Sequence, residues 1–135
     1  MDTLSEAARS RNMSRIRASD TAPERLLRRL VWATRKGYRL NLKSLPGKPD
    51  IAFTKAKLAI FMHGCFWHGH ERCRRANTPK SNTHYWAPKI EGNRRRDAAN
   101  VAALGQGNWD VLVVWECELK NPEEVTRRLQ HFLKR

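Results

Sequence analysis

The segment FMHGCFWHGHERC, residues 61–73, places three histidines and two cysteines within thirteen residues. Thiolates and imidazoles are zinc ligands, and four protein ligands in a tetrahedron close a structural site. Cys65, His70 and Cys73, joined by the distant Cys117, supply that number. The Cys-x4-His-x2-Cys spacing is not a common finger pattern, so the residues alone leave two readings open: a zinc site, or three cysteines buried as small apolar side chains. A metal would order a loop that has too few apolar residues to order itself.

A second set of residues could hydrolyse a phosphodiester. Asp50 closes the run PGKPD, and a carboxylate there can hold Mg²⁺, which prefers oxygen ligands and keeps several waters. Such hydrolysis needs a metal to neutralise developing charge and a group that accepts a proton near neutral pH. His63 and His68 are the candidates for the second task. Taken singly, Asp50 also reads as a turn residue and each histidine as a surface or core group. Asp97 is more informative, because the helical stripe Ile90, Asp97, Val101, Leu104 turns it inward, with Asn93 one turn earlier. An inward carboxylate is costly unless paired, and a histidine is the natural partner. The competing phase places Asp97 with the solvated Arg94, Arg95 and Arg96. Glu24 is similarly ambiguous, since it also has capping-box spacing from Thr21.

Composition narrows the partner. The chain has 135 residues, 27 Lys plus Arg against 13 Asp plus Glu, a formal net charge of +14 and 40% apolar residues. That length suits one domain with a modest core. The charge favours a polyanion, because Lys and Arg contacts to phosphate release counterions; an anionic membrane is the rival surface. No apolar run approaches a membrane span, and the Asp2/Glu6 start lacks the form of a signal peptide, so a cytoplasmic protein is expected. An odd number of cysteines there favours metal or thiol chemistry over a disulfide framework. In so basic a chain, Phe66, Trp67 and Trp86 could stack on or wedge between bases. Covering the core is the alternative, although adjacent loop residues seldom both face inward.

The elements that must position these groups follow from periodicity. Residues 1–20 are polar, with Arg9, Arg11, Arg15 and Arg17 around Met13 and Ile16, and read as a frayed tail or a basic arm that orders on DNA. A helix is predicted from Thr21, with Leu26, Leu27, Leu30, Val31 and Thr34 as its stripe and Gly37 as terminator. YRLNL, residues 38–42, reads as a strand, SLPGKP as a turn, and 50–62 as a hairpin with strands 50–54 and 58–62. LAIFM is apolar throughout, as in a strand covered on both faces. Residues 64–85 lack a period and read as loop; a helix is predicted from Trp86 to Gly105, and a strand over WDVLVVWEC, residues 109–117. A last helix opens at Asn121 and Pro122 and turns Val125, Leu129, Phe132 and Leu133 inward. The expected class is α/β, a mixed sheet packed between helices over residues 21–135. Cys65 and Cys117 then end neighbouring parallel strands.

Taken in order, SRNMSRIRASDTAPE, LPGKPDIAF, FMHGCFWHGH and NRRRDAANVAALGQGNWDVLVVWEC resemble the very-short-patch-repair (Vsr) endonuclease family, over residues 9 to 120. The resemblance implies a restriction-endonuclease-like fold with a structural zinc site. It implies Mg²⁺-dependent nicking of duplex DNA beside the thymine of a T:G mismatch, the lesion left when 5-methylcytosine deaminates. It assigns Asp50 to the catalytic metal, His63 and His68 to the active site, Glu24 as the partner of His63, and Asp97 as the partner of His68. Cys65, His70, Cys73 and Cys117 become the zinc ligands, and Phe66, Trp67 and Trp86 the wedge. Residues 1–20, around Met13, become an arm that grips DNA from the other groove. Two departures stand out. Where restriction-type enzymes carry an acid and a lysine on the second strand, this chain reads Phe61-Met62-His63, which leaves Mg²⁺ to Asp50 and the Met62 backbone carbonyl. The gap from His70 to Cys73 is one residue longer than the family's usual spacing.

Double-stranded DNA with a T:G mismatch is the expected substrate, mismatch-repair proteins are candidate partners, and a monomer suffices because one nick needs one active site. A bacterial, nucleoid-associated setting follows from the same resemblance. Two rivals remain: a non-catalytic zinc-containing DNA-binding module, and a nuclease of the same fold acting on another DNA structure. A pure binder has no need of Asp50, His68 and an inward Asp97 together.

Overall fold

In a computed structural model the protein is described over residues 21–65, at 68 and 70, and over 83–134, with the backbone alone at 83–86. The expected arm over residues 1–20 lies outside that range. The described elements, in order, are α1 (Ala22–Thr34), β1 (Arg39–Leu40), β2 (Ile51–Phe53), β3 (Leu58–His63), α2 (Thr83–Gln106), β4 (Asp110–Trp115), a 3-10 turn (Glu116–Lys120) and α3 (Pro122–Phe132). The four strands form one mixed sheet in the order β1-β2-β3-β4: β1 and β3 run antiparallel to β2, and β4 runs parallel to β3. No helix among the described residues is long and apolar enough to cross a membrane.

The sheet divides two apolar layers by the period-two alternation of its strands. Leu58 and Ile60 of β3, with Ile51 and Phe53 of β2 and Val114 of β4, meet Leu27 and Val31 of α1 and Val125, Leu129 and Phe132 of α3. On the opposite face Ala59 and Phe61 of β3 meet Leu104 of α2, with Leu45, Trp109, Val111 and Val113 packed alongside. His63 follows Ala59 and Phe61 on this second face, and Trp115 follows Val111 and Val113. The parallel register sets His63 and Trp115 directly side by side. The apolar run of β3 is thus covered on both sides, as expected of a central strand.

Several boundaries differ from expectation, each for a local reason. Thr21 caps α1 by accepting the Glu24 N–H at 3.4 Å, and the helix ends at Thr34 with Arg35 already extended, ahead of Gly37. The strand predicted over 38–42 shrinks to Arg39–Leu40 because Asn41 takes a positive φ of 49°. The turn SLPGKP contains two further positive φ values, at Gly47 and Lys48, and its Lys48 N–H closes on the Leu45 carbonyl at 3.1 Å. A Cβ on Gly47 would come within 2.9 Å of the Asn100 side chain, so glycine allows this turn to lie against α2. Helix α2 begins at Thr83 rather than Trp86, and Pro88 lies inside it. Strand β4 stops at Trp115 because the Glu118 carboxylate accepts the Trp115 N–H at 2.7 Å, which starts the 3-10 turn. Cys117 therefore belongs to that turn and does not end a strand.

Candidate active site and metal centre

The C-terminal ends of β3 and β4 open onto a cleft of about 1030 Å³, lined by His63, His68, Arg94, Asp97, Val101 and Trp115 among others. Helix α2 forms its far wall. Ile90 and Leu104 of the predicted inward stripe are buried, and Asp97 faces the cleft with 24% of its side chain exposed. Val101, expected inward, is 37% exposed and lines the open cleft.

His68 lies in the turn after β3, where its backbone N–H bonds to the Gly64 carbonyl at 3.1 Å. Its Nδ1 is 2.6 Å from Asp97 Oδ2. An ionised carboxylate only accepts, so Nδ1 carries the hydrogen and Nε2 keeps a lone pair for a proton. The His63 ring stacks on His68, with centroids 4.0 Å apart and planes 5° from parallel. His63 Nδ1 is 3.9 Å from the same Asp97 oxygen, too far for a hydrogen bond, and has no hydrogen-bond partner among the described residues. Burial, helped by the neighbouring His68, pushes the His63 pKa down to about 4, so this imidazole is neutral at neutral pH. His63, His68 and Asp97 offer three potential metal ligands within 4.8 Å of one another. An imidazole binds a metal in its own ring plane, however, and two planes stacked in parallel do not converge on one ion.

Asp50 enters from β2. Its Oδ2 accepts the Met62 N–H at 2.7 Å, joining the start of β2 to the end of β3. Its pKa is raised to about 6, chiefly by burial and in smaller part by Glu24, against the pull of the Met62 N–H and the nearby His68. Asp50, Glu24 and His68 therefore share one electrostatic environment. Glu24 acts on the charge of Asp50, and Asp97 is the carboxylate 3.9 Å from His63 Nδ1. In an antiparallel ladder one residue's N–H and C=O face the same neighbouring strand. The Met62 carbonyl thus lies on the Asp50 side of β3.

The second group of ligands lies behind the histidine pair. The ligand atoms of Cys65, His70 and Cys117 lie within 4.8 Å of one another. The His70 N–H bonds to the Cys65 carbonyl at 3.0 Å, which folds the loop back on itself. The Cys117 N–H donates to Cys65 Sγ, and Cys117 Sγ is 3.4 Å from His70 Nδ1. Tetrahedral zinc with ordinary bond lengths would set sulfur and nitrogen ligands roughly 3.5 Å apart, so the donor set and its spacing fit that metal. Cys73, the fourth expected ligand, lies outside the described residues, as do Met13, Phe66 and Trp67; Trp86 is placed by its backbone alone, in the first turn of α2.

One residue of the site escaped the sequence reading. The Trp115 ring stacks on His70 at 4.1 Å and 7°, and meets His63 edge-on at 5.1 Å and 80°. Its only sequence signal is its position two residues before Cys117, which takes on meaning once the register pairs it with His63.

The sequence model of the family described as DNA mismatch endonuclease Vsr matches residues 1–75. The chain is 46% identical over 132 residues to the type II nicking enzyme V.XorIIP of Xanthomonas oryzae pv. oryzae, covering 98% of this chain and 96% of that protein. It is 41% identical over 133 residues to the type II nicking enzyme V.NmeAIP of Neisseria meningitidis, covering 98% and 94%. The DNA mismatch endonuclease Vsr of Escherichia coli is 39% identical over 125 residues, covering 93% and 80%. A metal-compatible thiol-imidazole cluster, a histidine-carboxylate cleft and these matches agree: the chain belongs to the Vsr family of DNA mismatch endonucleases.

Proposed function

We propose that this protein is a Mg²⁺-dependent endonuclease that nicks duplex DNA beside the thymine of a T:G mismatch. The observation that carries this reading is the His68–Asp97 pair, held at 2.6 Å in an open cleft next to Asp50. The names of its relatives, a mismatch endonuclease and nicking enzymes, support the same reaction class. A restriction-endonuclease-like frame is consistent with the mixed sheet and its flanking helices.

Asp50 and the Met62 carbonyl are the oxygen ligands available for magnesium, which fits an ion that binds one or two protein oxygens and keeps its waters and substrate phosphates. Magnesium, when bound, supplies positive charge that neutralises the scissile phosphate. Asp97 holds the Nδ1–H tautomer of His68, so that Nε2 accepts the proton of the attacking water. His63, neutral and stacked on His68, fixes that ring and offers a polar edge to the phosphate. Glu24 sustains negative potential around Asp50, which favours a bound cation. Arg94 lines the cleft and adds positive charge where the DNA backbone arrives.

Cys65, His70, Cys73 and Cys117 hold a structural Zn²⁺ that fixes the loop carrying His68. Phe66, Trp67 and Trp86 wedge at the mismatch, where unstacking is cheaper than at a paired step, and the arm around Met13 grips the opposite groove. The protein acts as a cytoplasmic monomer on nucleoid DNA, with mismatch-repair proteins as candidate partners.

A strand-labelled duplex with one T:G mismatch tests the reading against its matched counterpart, with Mg²⁺ or EDTA. Nicking of the mismatched duplex alone, and only with Mg²⁺, is the expected result. Tight binding without nicking would identify a binding module, and equal cutting of matched DNA would remove the mismatch specificity.

A further inference from the structure

Four rings form an unbroken line through the site: His70 stacks on Trp115, Trp115 meets His63 edge-on, and His63 stacks on His68, whose Nδ1 reaches Asp97. His63 is 6% exposed, and its Nδ1 makes no hydrogen bond among the described residues. Ring orientation is ordinarily set by hydrogen bonds to the imidazole nitrogens. At this nitrogen that control is missing, so packing must supply it, and the packing partners are His68, Phe61 and Trp115. Of these, Trp115 also stacks on His70 of the thiol-imidazole cluster.

Trp115 is itself held at both ends. Its ring lies against His70, and its backbone N–H donates to the Glu118 carboxylate at 2.7 Å. Glu118 in turn accepts from Arg128 at 2.6 Å, and Arg128 also donates to the Val113 carbonyl at 3.1 Å. Helix α3 thereby braces the end of β4 from the side opposite the cleft.

We propose that Trp115 is a positioning residue that transmits the geometry fixed at the Cys65–His70–Cys117 centre to the His63–His68 pair. Zinc in this protein then orders more than a loop: through Trp115 it sets the angle at which the reacting imidazoles face the phosphate. The inference rests on the proposed roles of His63 and His68, and it predicts a loss in the chemical step with DNA affinity preserved. A displacement on the scale of an ångström at a reacting group can lower a rate by on the order of 100-fold.

The test compares Trp115→Leu and Trp115→Phe with the wild-type protein, each loaded with zinc and checked for zinc stoichiometry and circular dichroism. Single-turnover nicking of the T:G duplex is measured with Mg²⁺, and binding of the same duplex with Ca²⁺. For Trp115→Leu the rate should fall on the order of 100-fold while binding stays within about threefold. Trp115→Phe, which keeps an aromatic face on His70 and an edge on His63, should recover most of the rate. The imidazole proton resonances of His63 give a readout independent of activity: the Trp115 ring current should vanish in the Leu variant and return in part with Phe. Wild-type nicking by the zinc-loaded Leu variant overturns the proposal. So does a rate that follows zinc content alone and returns fully on zinc resaturation, because Trp115 then only retains the metal. His68→Ala separates the premise from the inference: normal nicking by that variant removes the histidine reading and the proposal with it. Loss in His68→Ala with no loss in Trp115→Leu removes the proposal alone.

Discussion

At the scale of single residues the site depends on which groups carry protons. Asp97→Asn keeps the shape of the side chain but allows its amide to donate to His68 Nδ1, which selects the wrong tautomer. Single-turnover nicking should fall by about 10²- to 10⁴-fold, the usual worth of a general base, with the urea midpoint little changed. Asp50 and His63 make opposite contributions to stability. Asp50 keeps its proton up to about pH 6 when folded and up to 3.8 when unfolded, so stability falls as pH rises through that window. His63 releases its proton near pH 4 when folded and near 6.5 when unfolded, so its contribution rises with pH over nearly the same window. The zinc-loaded protein without Mg²⁺ should therefore show a shallow pH dependence between 4 and 6.5 from these two groups. Asp50→Asn keeps the acceptor for the Met62 N–H and removes the burial penalty. Urea titration at pH 7.5 should find it more stable by about 1–3 kcal/mol, with the rising His63 slope exposed and no nicking. An unchanged or lower midpoint would contradict the assigned cost of ionised Asp50.

At the scale of elements, β3 and the end of β4 determine where the chemistry sits. Ile60 is fully buried between α1, α3 and the sheet, and Ile60→Ala should cost about 2–4 kcal/mol in chemical denaturation. The brace from α3 is smaller in energy and closer to function. Glu118→Ala removes the acceptor of the Trp115 N–H and the partner of Arg128, at a cost on the order of 1–2 kcal/mol. Because Glu118 supports Trp115, that variant should also nick more slowly than an equally destabilised core variant such as Ile60→Val, compared at the same folded fraction. The elements themselves were readable to the extent that their patterns were regular. The runs around Leu27 and Val31, and around Val125 and Leu129, gave α1 and α3, and the apolar LAIFM gave the central strand. The ends were less readable, because they turn on single contacts such as Glu118 to Trp115 and the positive φ of Asn41.

At the scale of the whole molecule, the thiol-imidazole centre ties the loop after β3 to the turn after β4, two segments far apart in the chain. Removing zinc with a chelator should lower the melting temperature by roughly 10 °C while the two apolar layers persist. Cys117→Ala should lower zinc stoichiometry as well, and full stoichiometry in that variant would exclude Cys117 from the site. The net charge of +14 acts on the same scale, by drawing DNA to the cleft wherever Lys and Arg face phosphate.

The amino-acid sequence by itself determined the chemistry on offer and most of its scaffold. Ligand types, the inward phase of Asp97, the capped helices and the apolar strands are local properties that composition and period record. Tertiary structure alone decided how the groups divide. Register paired His63 with Trp115, and the turn after β3 stacked His68 on His63 and gave Asp97 to His68 alone of the two rings. It also placed Trp115 between the two centres. The pairing of His63 with Trp115 joins segments about fifty residues apart across a parallel strand pair; a period of two fixes the face each residue takes but is equally satisfied by a register shifted by two residues.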